Sequence, residues 1–166
     1  MSDQQPTDTA LRILAISGSL RVVSSNTAIL RAMSILAPDR VEIILYDQLA
    51  DLPYFNPDLD GEAILPPPTV LELRSRIGRA DGILISSPEY AHGVPGVLKN
   101  ALDWLVSSLE FPGKPVALIN ASPRATHAQA ALTEILKTMS ARLIAEASIA
   151  VPLASNRVDV ADIIIT

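Results

Sequence analysis

Hydroxyl, amide and guanidinium side chains are concentrated in residues 17–26, between an apolar run and a helical pattern. Ser19, Arg21, Ser24 and Asn26 lie within eight positions of one another. The backbone N–H groups at a helix start lack acceptors within the helix and carry partial positive charge, so they attract anions. The hydroxyls and the amide add neutral donors, and Arg21 adds a planar charged fork. This pattern favours a phosphate-binding loop.

The segment differs from the common glycine-rich phosphate loops. Gly18 is its only glycine, and no Gly-Lys-Ser/Thr triplet follows, so it is neither a Walker loop nor a dinucleotide fingerprint. Side chains must therefore supply most of the donors. An ordinary helix start remains the alternative, with Ser24 or Ser25 as the N-cap and Arg21 in solvent.

Two further polar segments follow apolar runs. In residues 87–100, prolines and glycines predict an irregular backbone that offers N–H and C=O groups to a flat ring, Tyr90 adds an aromatic surface and Glu89 adds an acceptor. The alternative is a rigid connector. Residues 120–124, Asn-Ala-Ser-Pro-Arg, form either a third binding loop or a plain strand-to-helix turn. His92 is a candidate site residue, whereas His127 is expected to be a solvated residue of a first helical turn.

No arrangement of reactive side chains suggests a hydrolase, which is typical of proteins in which a cofactor does the chemistry. The chain has no cysteine, and its two histidines lack ligand spacing, so no disulfide and no metal site is expected. Its formal net charge is −5, with scattered Lys and Arg, which does not indicate a nucleic-acid partner.

The apolar periodicity predicts alternating strands and helices. The predicted strands are 12–17, 41–46, 82–86, 115–120 and 143–151. The predicted helices are 26–36, a second one capped by Thr69, 96–109 and 126–141. Residues 47–68 form a long loop. Strands 1, 3 and 4 are continuous apolar runs, which predicts a parallel sheet covered on both faces.

In a sheet with strand order 2-1-3-4-5, strands 1 and 3 are neighbours whose connections leave in opposite directions. The loops after these strands then open a crevice at the switch point. Residues 1–10 are expected to be a disordered tail and residues 11–166 one domain. No apolar run approaches the ~20 residues that cross a bilayer, and no secretory signal is recognisable, so a cytoplasmic protein is expected.

Two motifs in this order resemble the NADPH-dependent FMN reductase family. They are Gly18-Ser19-Leu20-Arg21-x-x-Ser24-x-Asn26 and Pro88-Glu89-Tyr90 followed by residues 95–104, Pro-Gly-Val-Leu-Lys-Asn-Ala-Leu-Asp-Trp. The resemblance covers roughly residues 13–151. It implies a flavodoxin-like three-layer α/β sandwich that binds FMN. It further implies electron transfer from NADPH or NADH through FMN to a quinone, an azo compound, free flavin or chromate.

The resemblance also implies which residues contact FMN. The first motif would bind the phosphate, and the second would lie along the isoalloxazine ring, with the third loop as the least defined part. The predicted cofactor-binding residues are Ser19, Arg21, Ser24, Ser25, Asn26, Pro88, Glu89, Tyr90, Ala91, His92, Gly93, Asn120 and Ser122. No side chain is expected to be catalytic itself.

One departure from the family concerns the end of the chain. The family usually closes with a full helix, whereas only about fifteen residues follow Val151 here, so the last helix is expected to be short or missing. Subunit contacts in a homodimer or homotetramer, or residues 163–165, are then expected to cover that sheet face. A flavodoxin-like electron carrier and a flavin-free enzyme or sensor for a phosphorylated ligand remain the rival functions.

Overall fold

A computed structural model describes residues 10–61, 63–153, 155 and 157–164. The disordered tail predicted for residues 1–10 lies outside the described part except for Ala10. The strands are Leu11–Ser17 (β1), Val41–Tyr46 (β2), Gly82–Ser86 (β3), Pro115–Asn120 (β4), Arg142–Leu143 (β5) and Ile149–Ala150 (β6). The helices are Ser25–Leu36 (α1), Pro68–Arg79 (α2), Gly96–Asp103 (α3), Thr126–Thr138 (α4) and Val160–Ile164 (α5).

The strands form one parallel sheet in the order β2-β1-β3-β4-β5, with β6 also paired to β4. This is the predicted flavodoxin-like order, with β1 and β3 side by side at its centre. β3 is buried along its whole length and β1 is buried from Leu14 to Ile16, as their continuous apolar sequences predict. Among the described helices, none is long and apolar enough to span a bilayer.

Two apolar clusters lie on opposite faces of the sheet. The larger includes Leu14, Ile16 and Ile83 from the strands, with residues of α2, α3 and α4 packed against them. The smaller includes Ala15 and Leu84, which pack against α1 and, through Ile163, against α5. The structure thus has three layers, as expected.

The predicted fifth strand is interrupted in the structure. β5 pairs with the start of β4 and β6 with its end, and a short 3-10 turn separates them. At the gap, the Leu118 N–H donates to Ser148 Oγ at 3.1 Å, and that hydroxyl donates to the Ile144 carbonyl. A side chain therefore replaces part of the backbone ladder, which the apolar pattern of residues 143–151 does not reveal.

The predicted start of α1 is one residue late, and three other predicted helix boundaries are wrong, each for a local reason. α2 begins at Pro68, a favoured first residue because it has no N–H to satisfy, so Thr69 lies inside the first turn and is not the cap. α3 ends at Asp103 because the chain then turns inward to bury Trp104, and Leu109 is 93% exposed rather than part of the apolar stripe. α4 ends at Thr138, where Ser140 has a φ of 62°.

The end of α4 is a Schellman motif. The Ala141 N–H donates to the Leu136 carbonyl and the Ser140 N–H donates to the Lys137 carbonyl. Glycine usually occupies the left-handed position of this motif. Because serine stands at position 140, the sequence gives no signal for the end of the helix.

The last helix, α5, is short, as predicted, with five described residues. Ile163 packs against the smaller apolar cluster, which agrees with the expected covering of that sheet face. Ile165, the other end of the predicted covering segment, lies outside the described residues.

The long loop after β2 is anchored to α3. The Asn100 amide donates to the Pro53 carbonyl at 3.0 Å and accepts from the Phe55 N–H at 2.8 Å. Trp104 Nε1 also donates to the Pro53 carbonyl at 2.8 Å, and its ring meets the Phe55 ring edge to face. Much of the polar capacity of Asn100 and Trp104 is therefore used to hold this loop.

Candidate functional site

The loops after β1, β3 and β4 surround a crevice at the carboxyl edge of the sheet, at the predicted switch point. Its cavity has a volume of about 530 Å³. The lining residues come from all three loops and from the segment after β6: Ser19, Arg21, Ser24, Ser25, Asn26, Pro88, Glu89, Tyr90, Ala121, Ser122, Pro123, Arg124, Ala125, Leu153 and Ser155.

The first two loops touch directly at Gly18. Its N–H donates to the Ser86 carbonyl at 2.8 Å. A Cβ at this position would lie 2.9 Å from Ser87 Oγ and 3.1 Å from Leu98 Cδ2. The close approach of the two crevice walls therefore requires glycine here, which gives a physical reason for the single glycine of the first motif.

The hydroxyls of Ser19 and Ser24 are buried, and each accepts a hydrogen bond from the loop itself. Ser19 Oγ accepts from the Arg21 N–H at 3.3 Å. Ser24 is the N-cap of α1 and accepts from the Thr27 N–H at 3.5 Å. An accepting hydroxyl keeps its own hydrogen for a second partner. Helix capping and anion binding are thus compatible at Ser24, although the sequence presented them as alternatives.

Asn26 is oriented by the neighbouring strand. The buried Ser86 hydroxyl donates to Asn26 Oδ1 at 2.9 Å. Because the oxygen of the amide is engaged, its Nδ2 group remains as a double donor. β3 thereby determines which end of this amide is available to a ligand.

Ser25 has a different position from the other donors of the first loop. Its hydroxyl donates to the Ser155 carbonyl at 2.9 Å, which holds the segment after β6 against the start of α1. The single hydroxyl hydrogen is used in this contact, so the group that Ser25 can offer an anion is its backbone N–H.

Positive charge at the crevice comes from Arg21 and Arg124. Both residues are exposed, and within the described part of the chain neither guanidinium has an ion-pair partner. The carboxylate in the lining, Glu89, is engaged elsewhere. Its Oε2 accepts from the Ala128 N–H at 2.8 Å in the first turn of α4.

Glu89 therefore caps α4, which has no capping side chain of its own. A carboxylate is favoured at this place because it meets both an unpaired N–H and the positive end of the helix dipole. The contact connects the second crevice wall to the third, a role that its sequence position alone does not indicate.

Residues 90–93 form a tight two-residue turn that begins at Tyr90 in the crevice lining. Tyr90 and Gly93 exchange two backbone hydrogen bonds, of 3.2 and 3.0 Å. Ala91 and His92 between them have φ values of 48° and 57°. Glycine and asparagine are favoured at such positions, and each other residue costs about 1–2 kcal/mol. The turn therefore stores backbone strain next to the crevice.

The His92 ring lies on the His127 ring. Their centroids are 4.2 Å apart and their planes differ by 15°. His127 belongs to the first turn of α4, as predicted, but it is stacked rather than simply solvated. Sequence reasoning missed this pair because 34 residues separate the two positions and no helical or strand spacing relates them.

The third loop is held by its own polar groups. Asn120 Oδ1 accepts from the Ser122 N–H at 3.0 Å, and Ser122 Oγ accepts from the Arg124 N–H at 3.3 Å. Asn120 itself lies in the shallow groove beside α4 rather than in the crevice lining.

The crevice lining brings together nine of the predicted residues: Ser19, Arg21, Ser24, Ser25, Asn26, Pro88, Glu89, Tyr90 and Ser122. Ala91, His92 and Gly93 lie in the adjoining turn, and Asn120 lies at the end of β4. Their contact with FMN stays a prediction, as it does for the nine. Leu153 and Ser155 were not anticipated, because only the return of the chain along β4 brings them to this edge.

Comparisons with known proteins decide the family. Residues 11–156 match the family described as NADPH-dependent FMN reductase. This chain belongs to that family. A quinone reductase of Pseudomonas putida is 40% identical over 118 residues, covering 68% of this chain and 61% of the relative. A quinone reductase of Escherichia coli is 39% identical over 114 residues, covering 68% of this chain and 60% of the relative.

The structure of FerB, a flavoenzyme NAD(P)H:(acceptor) oxidoreductase of Paracoccus denitrificans, matches this FMN reductase family member as well. The TM-score is 0.72 and the identity 34%, covering 82% of this chain and 76% of that one. The chain spans about three fifths of the length of the two quinone reductases.

Proposed function

We propose that the chain is an FMN-dependent NAD(P)H oxidoreductase that passes electrons to a small acceptor such as a quinone. One observation carries this proposal: Ser19, Arg21, Ser24 and Asn26 converge on the crevice, each with donor capacity that the described chain does not use. The membership in the FMN reductase family and the similarity to quinone reductases support it.

The donor set fits a terminal phosphate monoester. A phosphate presents oxygens that accept several hydrogen bonds at once, and a hydroxyl, an amide and a guanidinium supply them from different directions. The free N–H groups of the first turn of α1 add to these donors. The phosphate of FMN would be held by residues 19–26, and its ring would lie between residues 88–90 and 121–125.

Bound there, FMN would supply the redox chemistry, with NAD(P)H as the hydride donor and the second substrate as the electron acceptor. The work of the protein is to bind and to orient. Gly18 allows the walls to approach, Ser86 orients the Asn26 amide, and Glu89 fixes the second wall to α4. Tyr90, 53% exposed, presents an aromatic surface at the mouth.

The acceptor class is proposed from the relatives, which are named quinone reductases. Azo compounds, free flavin and chromate are the other acceptors that the family resemblance implies. We also propose a cytoplasmic location, which suits an enzyme that draws on NAD(P)H, and assembly into a homodimer or homotetramer. Exposed apolar side chains such as Tyr54 and Leu109, 91% and 93% exposed, are available for subunit contacts.

The test is flavin titration followed by turnover. Purified chain, freed of flavin, is titrated with FMN and with riboflavin, and binding is followed by flavin fluorescence. FMN is expected to bind at least about tenfold more tightly than riboflavin, because riboflavin lacks the phosphate. NADPH and NADH oxidation is then measured with and without FMN, with a quinone as acceptor.

The outcomes separate the rival functions. Flavin-dependent oxidation of either nicotinamide cofactor supports the reductase. A chain that binds FMN but oxidises neither cofactor with any quinone is an electron carrier instead. Equal affinity for FMN and riboflavin contradicts the phosphate assignment, and a chain that takes up no FMN contradicts the whole proposal.

A further inference from the structure

Two contacts connect the second crevice wall to the start of α4. The first is the hydrogen bond from the Ala128 N–H to Glu89 Oε2, and the second is the stack of His92 on His127. His127 directly precedes Ala128, and His92 lies three residues after Glu89. The same two short segments are therefore joined twice, on the two sides of Tyr90.

Backbone strain favours relaxation of the turn between these contacts. Ala91 and His92 both have positive φ without being glycine or asparagine, and both side chains are exposed, so burial does not hold them. The two backbone bonds between Tyr90 and Gly93 close the turn but do not connect it to the rest of the protein. Among the contacts described for this turn, the ring stack connects its tip to a helix.

We propose that His92 and His127 are positioning residues for the flavin: their stacked rings hold the strained turn against α4 and so fix Tyr90 and Glu89 in the crevice wall. This inference rests on the proposed function. It does not depend on the FMN contact predicted for His92, and it assigns neither histidine a catalytic role. It explains the strained turn, the exposed ring stack and the capping of α4 by Glu89 as one arrangement that holds the crevice wall.

The charged groups around the stack do not provide another contact that would hold the two rings together. Glu89 faces the start of α4 but is bonded to the Ala128 N–H, and Arg124 lies one turn of loop before His127 without an ion-pair partner in the described chain. Neither group forms a described hydrogen bond with the two imidazoles. Ring-on-ring contact is thus the interaction to test.

The experiment measures FMN affinity and the thermal midpoint of the flavin-free protein for five variants. These are His92→Ala, His127→Ala, the double variant, His127→Phe and, as a matched control in the same exposed turn of α4, Thr126→Ala. Each single alanine variant is expected to weaken FMN binding about three- to tenfold, the range that an aromatic pair commonly contributes. The double variant is expected to bind FMN no more weakly than either single one, because both remove the same contact.

His127→Phe keeps a ring in place and is expected to bind FMN within about twofold of the unsubstituted protein. Thr126→Ala is expected to do the same, and all five flavin-free proteins are expected to unfold at similar temperatures. A general loss of stability would instead lower the midpoint of the alanine variants, and His127→Phe would not restore affinity selectively.

Three results overturn the inference. They are unchanged FMN affinity in both single alanine variants, additive losses in the double variant, or a loss in His127→Phe as large as in His127→Ala. In each case the unsubstituted protein still binds FMN, so the proposed function stands. If the unsubstituted protein binds no FMN, the proposed function and this inference both fail.

Discussion

Two concave regions in the described part of the chain are lined by arginine, and they differ in the carboxylates that lie beside it. The crevice at the carboxyl edge of the sheet has Arg21 and Arg124, neither of which has an ion-pair partner in the described chain. A second cavity of about 340 Å³ lies between α2 and the edge strand β2. There, Arg76 bonds Glu72 at 2.8 Å, and Arg12 lies 3.7 Å from Glu42.

The carboxylates beside Arg76 and Arg12 change what the second cavity can bind. Hydrogen bonding to Glu72 raises the pKa of the Arg76 guanidinium above its ordinary value, the direction expected for a charge with an opposite partner. An anion entering this cavity would compete with those carboxylates and meet their repulsion. In the crevice, Arg21 and Arg124 have no ion-pair partner in the described chain, and the carboxylate of Glu89 is bonded to a helix N-terminus. Unused donor capacity, rather than the number of arginines, distinguishes the candidate phosphate site.

Asn26→Asp is the substitution expected to weaken FMN binding at the crevice most. The carboxylate keeps the shape and can still accept from Ser86 Oγ, but it loses the Nδ2 donors and adds negative charge beside the expected phosphate. FMN affinity is expected to fall about a hundredfold, from a lost donor and a new repulsion together. Flavin fluorescence titration measures this. Riboflavin affinity serves as the control, since it is expected to change far less.

A paired substitution tests the arginines directly. Arg21→Ala is expected to weaken FMN binding about tenfold, the low end for a charged hydrogen bond because the side chain is exposed. Arg79→Ala, which removes a guanidinium from the lining of the second cavity, is expected to change FMN affinity less than about twofold. Comparable losses in the two variants, measured by titration at one ionic strength, would remove the distinction between the regions.

The third test addresses the walls rather than the donors. Gly18→Ala places a methyl group against Ser87 and Leu98, whereas Gly96→Ala, in the first turn of α3, meets no atom within 4 Å. We expect Gly18→Ala to weaken FMN binding about threefold to tenfold, because the first two loops must separate. Gly96→Ala is the matched control. If Gly18→Ala binds FMN as tightly as Gly96→Ala does, the crevice tolerates a wider opening than the structure indicates.

The contrast also explains how much the sequence could predict. β2, β3 and β4 were predicted with their observed bounds. β3 and β4 are buried parallel strands with continuous apolar sequences, whereas β2 is an edge strand whose apolar run contains the exposed Glu42. The last strand was predicted as one piece, because its interruption depends on a bond between Ser148 and Leu118, residues thirty positions apart. Local patterns do not record such contacts.

The same limit applies to the site. The donors of residues 19–26 are contiguous, so the sequence displayed them together. The capping of α4 by Glu89, the His92–His127 stack and the bond from Ser25 to Ser155 all join distant segments. They became visible only once the strand order placed three loops at one edge. The sequence therefore displays the groups that we propose for phosphate binding, but not the contacts that hold the walls together.

The smallest expected effect belongs to Tyr46, whose ring lies 5.8 Å from the Arg76 guanidinium beside the second cavity. Its hydroxyl is buried and has no hydrogen-bond partner among the residues that the structure describes. Tyr46→Phe removes this hydroxyl, so it is expected to leave FMN affinity unchanged and to raise the free energy of unfolding by up to about 1 kcal/mol. Urea unfolding at neutral pH measures the change, and a loss of stability would show that the hydroxyl has a partner in solution.

The pH dependence of the difference in unfolding free energy between Tyr46→Phe and the unsubstituted protein provides a control for this prediction. Burial raises the pKa of Tyr46 to about 12 from an ordinary value of 10.0, because the charged form is disfavoured inside the protein. The resulting stabilisation is complete below pH 10 and is lost as the pH rises towards 12. The phenylalanine variant has no such group, so its advantage in unfolding free energy is expected to grow over this interval. A constant difference between the two proteins across that range would mean that Tyr46 titrates alike in the folded and unfolded chains.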